Sequence, residues 1–182
     1  MIDPKSTAPS VKQRQRKAQS PDAPVPSQNR AEQVNRVLYS IASAVNTTLD
    51  LGDLYRAIHQ TLGSIIDVTN FFIALVDSRE NTLYFPYHVD TEDDDFSPIS
   101  DFDTGHSLTG LVVLKSVPLI LDEEQLRKRA AANGVWGPLP KIWLGVPLII
   151  REEVIGVIAV QSYTDPDLFT HEDLSLLTAV TD

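Results

Sequence analysis

The sequence predicts an α+β domain built on a mixed sheet of five or six mostly antiparallel strands, with helices on both sides. Three observations lead there. Two Val/Ile-rich runs of seven residues, Leu144–Ile150 and Val154–Val160, flank the charged break Arg151-Glu152-Glu153. Their length and branching suit buried strands, and the short break suits a hairpin. A second pair, Phe71–Val76 and Thr82–Val89, is joined by the polar turn Asp77–Asn81. Apolar residues at helical spacing precede the first pair and follow the last.

In chain order, Met1 to Asn29 reads as a disordered leader. It holds Pro4, Pro9, Pro21, Pro24 and Pro26 with much Ser and Gln, and no apolar periodicity. Residues 1–30 carry six Lys/Arg against two Asp/Glu; residues 31–182 carry nine against twenty-three, for a formal net charge of −10. The basic cluster Lys12, Arg14, Arg16 and Lys17 could touch a membrane surface or nucleic acid, but a solvated leader is the better reading. The folded domain is expected over 30–182.

Val34, Leu38, Ile41, Val45 and Thr48 are spaced 4, 3, 4 and 3, a heptad-like stripe on a helix from about Arg30 to Thr47. Asp50 suits an N-cap for a second helix, with Asp53 in its first turn. Leu51, Leu54, Ile58, Leu62 and Ile65 carry its apolar face to about Asp67. His59 borders that face and reads as a boundary residue rather than a ligand. In Thr82–Val89, alternation places Leu83, Phe85, Tyr87 and Val89 on one side and Tyr84, Pro86 and His88 on the other.

Asp90–Asp95 holds five acids in six residues. It lacks the spacing, central Gly and terminal Glu of an EF-hand, so a solvated acidic loop is preferred to a calcium site. Ser107 should cap a short apolar helix to Lys115, and Pro118–Leu121 a short strand. Asp122 should cap a charged helix that stops at Gly134. Trp136 sits in the Gly/Pro-rich loop Gly134–Pro140 and is either a lid over a cavity or a plug in the core. In the last hairpin Pro147 cannot donate to a ladder, and Gly145 and Gly156 allow close approach. After the turn Thr164–Asp167, Thr170 and Asp173 form a capping pair for a helix carrying Leu174, Leu177 and Val180. That helix is cut at Asp182, which suggests further domains beyond it.

Composition removes several function classes. The acidic balance of the folded part argues against nucleic acid as its partner. There are no cysteines, hence no disulfides, thiolate metal sites or Cys nucleophiles. No apolar run approaches the roughly 20 residues of a membrane span, and the N-terminus lacks a signal-peptide core. A cytoplasmic location is expected.

The segments NFFIALVD (Asn70–Asp77), LYFPYHVD (Leu83–Asp90), SLTGLVV (Ser107–Val113), PLIL (Pro118–Leu121), WLGVPL (Trp143–Leu148), GVIAVQSY (Gly156–Tyr163) and FTHEDLSLL (Phe169–Leu177) occur in this order. Together they resemble the GAF domains of bacterial signalling proteins, of the kind that precede histidine kinase or diguanylate cyclase domains. The resemblance covers about Arg30 to Asp182. It implies a GAF/PAS-like (profilin-like) fold and a small-molecule pocket between one sheet face and the middle segment. It also implies a homodimer formed through the first and last helices, passing a signal to an output domain in the same chain.

Departures from known subgroups narrow that reading. Bilin-binding members attach their chromophore through Cys, and methionine sulfoxide reductases of the family use Cys chemistry; this chain has neither option. The Asn-Lys-Phe-Asp-Glu motif of cyclic-nucleotide-binding members is missing. His88 and His106 fall near the expected pocket but in no haem motif, so no cofactor is expected. The candidate ligand residues are Tyr87, His106, Thr109, Trp136, Trp143 and Ser162, which would combine aromatic walls with polar anchors. Each is otherwise ordinary core or loop packing.

Three functions compete. The first is a ligand-sensing module of a two-component or related system, and the second a ligand-free dimerisation and relay module whose pocket is filled by side chains. The third, an enzyme, is disfavoured, because Gly105-His106-Ser107 lacks the strand-turn-helix elbow that exposes a nucleophile. The sequence favours the sensor.

Overall fold

The Val/Ile-rich runs pair as strands, and every ladder in the sheet is antiparallel. A computed structural model describes residues 32–33, 35–40, 50–104, 106–133 and 137–181. The strands are β1 (Phe71–Asp77), β2 (Thr82–Val89), β3 (Ile99–Ser100), β4 (Leu119–Asp122), β5 (Ile142–Ile150) and β6 (Glu153–Ser162), in the spatial order β3-β2-β1-β6-β5-β4. The helices are α1 (Leu51–Leu62), α2 (Leu108–Lys115), α3 (Glu123–Asn133) and α4 (His171–Thr181). Residues 32–33 and 35–40 are also helical. The leader, most of the heptad stripe, Gly134 and Trp136 lie outside the described residues.

The caps expected from sequence form. The Asp50 carboxylate accepts from the Gly52 N–H at 2.7 Å, and Ser107 Oγ from the Gly110 N–H at 3.0 Å. Two reciprocal capping boxes open the later helices. Asp122 Oδ1 accepts from the Gln125 N–H (2.8 Å) while Gln125 Oε1 accepts from the Asp122 N–H (3.0 Å). Thr170 Oγ1 accepts from the Asp173 N–H (3.3 Å) while Asp173 Oδ2 accepts from the Thr170 N–H (2.9 Å). The β5–β6 connection is tighter than the expected three residues. Arg151 and Glu152 alone form it, both at positive φ (51° and 71°), the twist that a two-residue hairpin needs.

Three expectations are corrected. Helix α1 ends at Leu62, not near Asp67, because Ser64 and Ile65 bond three residues back, to Thr61 O and Leu62 O, and tighten the last turn. The short strand β3, absent from the elements expected from the sequence, adds an edge to the sheet. The third correction is in β2, whose alternation breaks at Pro86. Ile73 pairs with Tyr87 but Leu75 pairs with Tyr84, so two residues, Phe85 and Pro86, oppose Ala74 alone. This is a β-bulge, and Pro86, which has no N–H for the ladder, is the extra residue. Phe85 and Tyr87 therefore lie on opposite faces rather than on one.

The sheet separates two apolar layers. On one side Phe71, Ile73, Leu144 and Ile158 pack with Val37, with Leu62 of α1 and with Leu177 of α4. On the other, Phe72, Ala74, Trp143 and Val157 pack with Val112 of α2 and Leu126 of α3. Successive residues of one strand thus belong to different layers, as the period of two requires. The terminal helices occupy one layer and the middle segment the other.

Candidate functional site

The layer formed by the middle segment is not fully packed. A cavity of about 100 Å³ remains between the sheet and the segments around it. Its floor is the sheet residues Phe72, Phe85, Trp143 and Gln161, and its side is the start of α2 at Ser107, Leu108 and Thr109. The acidic loop contributes Asp93, Asp95 and Phe96, and the loop entering β5 contributes Pro138 and Pro140.

Aromatic rings dominate the wall. Phe72, Phe85 and Phe96 form a triangle with centroids 5.4–5.6 Å apart, each pair tilted or edge-on, the arrangement that ring quadrupoles favour. The exposed His88 stacks on Phe96 at 4.1 Å and 11°. The Trp143 indole folds back over Gly145, where an added Cβ would stand 2.2 Å from Cη2. Only a glycine at that strand position lets the ring lie flat.

The polar end is organised by Asn70. Its Nδ2 donates to Gln161 O at 3.1 Å, and its Oδ1 accepts from both the N–H (2.8 Å) and the hydroxyl (2.9 Å) of Thr91. The start of β1 is thereby tied to the end of β6 and to the acidic loop. Within that loop Asp90 Oδ1 accepts from the amides of Glu92 (3.0 Å) and Asp93 (2.9 Å). Asp90 Oδ2 accepts from Gln161 Nε2 at 2.7 Å and from the Tyr163 hydroxyl at 3.3 Å. Gln161 Nε2 gives its other proton to Tyr163 Oη at 2.7 Å. Further along, Asp93 Oδ1 accepts from the Asp95 N–H at 3.0 Å, and Asp95 Oδ1 from the Ser97 N–H and hydroxyl. The run of acids is a chain of side-chain-to-backbone turns. The Ser97 hydroxyl and amide hold the Asp95 carboxyl below its usual range.

Burial, reinforced by the charge of Asp90, pushes the Tyr163 phenol well above its ordinary value. The neutral form is favoured in the folded state, so this contribution is intact below about pH 10, the unfolded value, and declines as pH rises above it. Between pH 9 and 11 the stability of Tyr163→Phe should therefore fall less steeply than that of the parent. Parallel slopes in urea titrations would contradict this.

Of the sequence candidates, Thr109 and Trp143 line the cavity. Tyr87 lies on the opposite face, where its hydroxyl is 2.9 Å from His59 Nδ1 and its ring is edge-on to Phe71. His59 Nε2 donates to Val68 O at 3.0 Å, which leaves Nδ1 for the Tyr87 hydroxyl. His59 is thus more than a boundary residue, because it ties α1 to β2. Ser162 also leaves the cavity: its Oγ accepts from the Asp165 N–H at 3.0 Å and turns the chain after β6. His106 is exposed and is not part of the wall, and Trp136 lies outside the described residues. The residues missed are Phe72, Phe85, Phe96 and Gln161. The signal for Gln161 was parity, since it pairs with Trp143 across β5–β6. Among the described residues no group of three or more His, Asp or Glu could hold a metal ion, and no helix is long and apolar enough to cross a membrane.

A family model described as "GAF domain" matches residues 48–182. Among solved structures, the GAF domain from an Acinetobacter phosphoenolpyruvate-protein phosphotransferase is similar with a TM-score of 0.64 at 19% identity, covering 84% of this chain and 88% of that one. The corresponding domain from Coxiella burnetii gives 0.62 at 17%, covering 83% and 89%. A free methionine-R-sulfoxide reductase from Neisseria meningitidis, solved with its substrate, gives 0.64 at 17%, covering 90% of both chains. At these identities the likeness is one of fold.

Proposed function

We propose, since the chain belongs to the GAF domain family, that it is a non-catalytic sensory module which binds a small molecule in the cavity and relays occupancy to its terminal helices. The observation that carries this reading is the back-to-back placement of the two layers. Phe72 and Trp143 face the cavity, while their chain neighbours Phe71 and Leu144 pack with Leu62 of α1 and Leu177 of α4. A ligand that binds one arrangement of the cavity better than another shifts the helices by that difference in affinity. The helices in turn would form a homodimer and bias a signalling domain in the same cytoplasmic chain, of histidine kinase or diguanylate cyclase type. In the first helix it is Val37, off the heptad-like stripe, that is buried in the core, whereas Leu38 on the stripe is only half-buried. That offset supports a second use for the stripe.

The absence of cysteine from the sequence sets this chain apart from the thiol chemistry expected of family reductases. A ligand-free relay is the second reading, and the size of the cavity favours it. About 100 Å³ is below the roughly 300 Å³ at which drug-sized pockets begin. A thermal-shift screen against small metabolites, confirmed by calorimetry, separates the two. A ligand at a hundredfold excess over its Kd should raise Tm by on the order of 5–10 °C. Silence across the screen would favour the relay.

A further inference from the structure

We infer that the cavity is built for a small organic cation, an alkylated ammonium group, a conclusion that rests on the ligand-binding reading above and specifies its chemistry. Asp93 and Asp95 are the carboxylates on the wall, and among the described lining residues there is no Lys or Arg. Five aromatic rings share that wall of about 100 Å³: the three clustered phenylalanines Phe72, Phe85 and Phe96, with Trp143 and Tyr163. Aromatic rings beside carboxylates attract a desolvated cation through the ring quadrupole and the negative field together.

Donor accounting points the same way. An anion would need N–H or O–H groups aimed at it, yet Gln161 Nε2 commits both protons to Asp90 and Tyr163, and the Tyr163 proton goes to Asp90. The Ser97 hydroxyl is committed to Asp95. That leaves the Ser107 and Thr109 hydroxyls and the Trp143 indole N–H as side-chain donors, which suits one neutral polar substituent on the cation. Asp93 uses Oδ1 for its loop bond, while Oδ2 lies against Gly137, so close that a Cβ there would stand 2.2 Å away. Gly137, at φ +77°, thus lets a carboxylate reach the mouth where the two loops meet.

The test is a titration of the full chain with three probes of one shape: choline, the neutral 3,3-dimethylbutan-1-ol and the anionic 3,3-dimethylbutanoate. Amide and indole shifts of Thr109, Trp143 and Gln161 report binding. Choline is expected to bind about tenfold more tightly than the alcohol, and the carboxylate more weakly than either. Asp93→Asn keeps the Oδ1 acceptor for the loop and should weaken choline by about three- to tenfold while leaving the alcohol unchanged. Phe85→Leu, which keeps an apolar side chain but removes the ring, should weaken choline by about tenfold. Equal affinity for alcohol and choline, or tightest binding of the carboxylate, would overturn the cation assignment and leave a ligand-binding domain standing. Unmoved resonances with all three would overturn it as well, with the metabolite screen deciding separately whether anything binds.

Discussion

Gly145→Val is expected to unseat the Trp143 indole and destabilise the domain by about 3 kcal/mol, at the upper end of what overpacking a core costs. The indole is only 2% exposed and lies across Gly145, with Cη2, Cζ3 and Cζ2 all within 2.8 Å of where a Cβ would be. Valine brings three carbons into that space. The strand cannot yield easily, because Gly145 is held between Leu119 of β4 and Ala159 of β6. The ring must therefore leave, opening one wall of the cavity. In a Trp136→Phe background the emission of Trp143 should shift to the red and the urea midpoint should fall. An unchanged midpoint with unshifted emission would mean that the ring has another place to go.

Asn70→Ala should cost about 2–4 kcal/mol, from three lost hydrogen bonds and the groups left without partners. The residue is 6% exposed. Its loss frees Thr91, and with it the beginning of the acidic loop, from the β1–β6 pair. Beyond the global destabilisation, faster amide exchange should appear at Thr91 and spread to Glu92 and Asp93, whose N–H groups depend on Asp90. Uniform exchange with no local excess would argue that Asn70 stabilises the fold without positioning the loop.

Most elements were legible because their signals are local. Branched apolar runs marked β1, β5 and β6, and Asp50, Ser107, Asp122 and Thr170 marked helix starts through bonds that span at most three residues. The cavity was less legible because its composition depends on the face each strand residue takes. Alternation carried straight through Pro86 puts Phe85 and Tyr87 on one side of β2, whereas the bulge there reverses the phase. Ser162 offers the hydroxyl of a polar anchor, but it is its neighbour Gln161 that has the parity of Trp143. A proline inside a strand was the available warning. Phe72 carried no comparable mark, since in an unbroken apolar run both faces look alike. The tie from His59 to Tyr87 joins positions 28 residues apart, and no local pattern announces it.

The bulge also determines where β2 can change length. Losing one residue outside the bulge would invert every side chain beyond it, exchanging cavity and helix faces, and losing Phe85 would take a ring from the cavity. Losing Pro86 would not, because Tyr84, Phe85 and Tyr87 would then alternate without interruption and stay on the faces they now occupy. Pro86 is the one position in β2 where a chain shorter by a residue keeps the same wall and the same core.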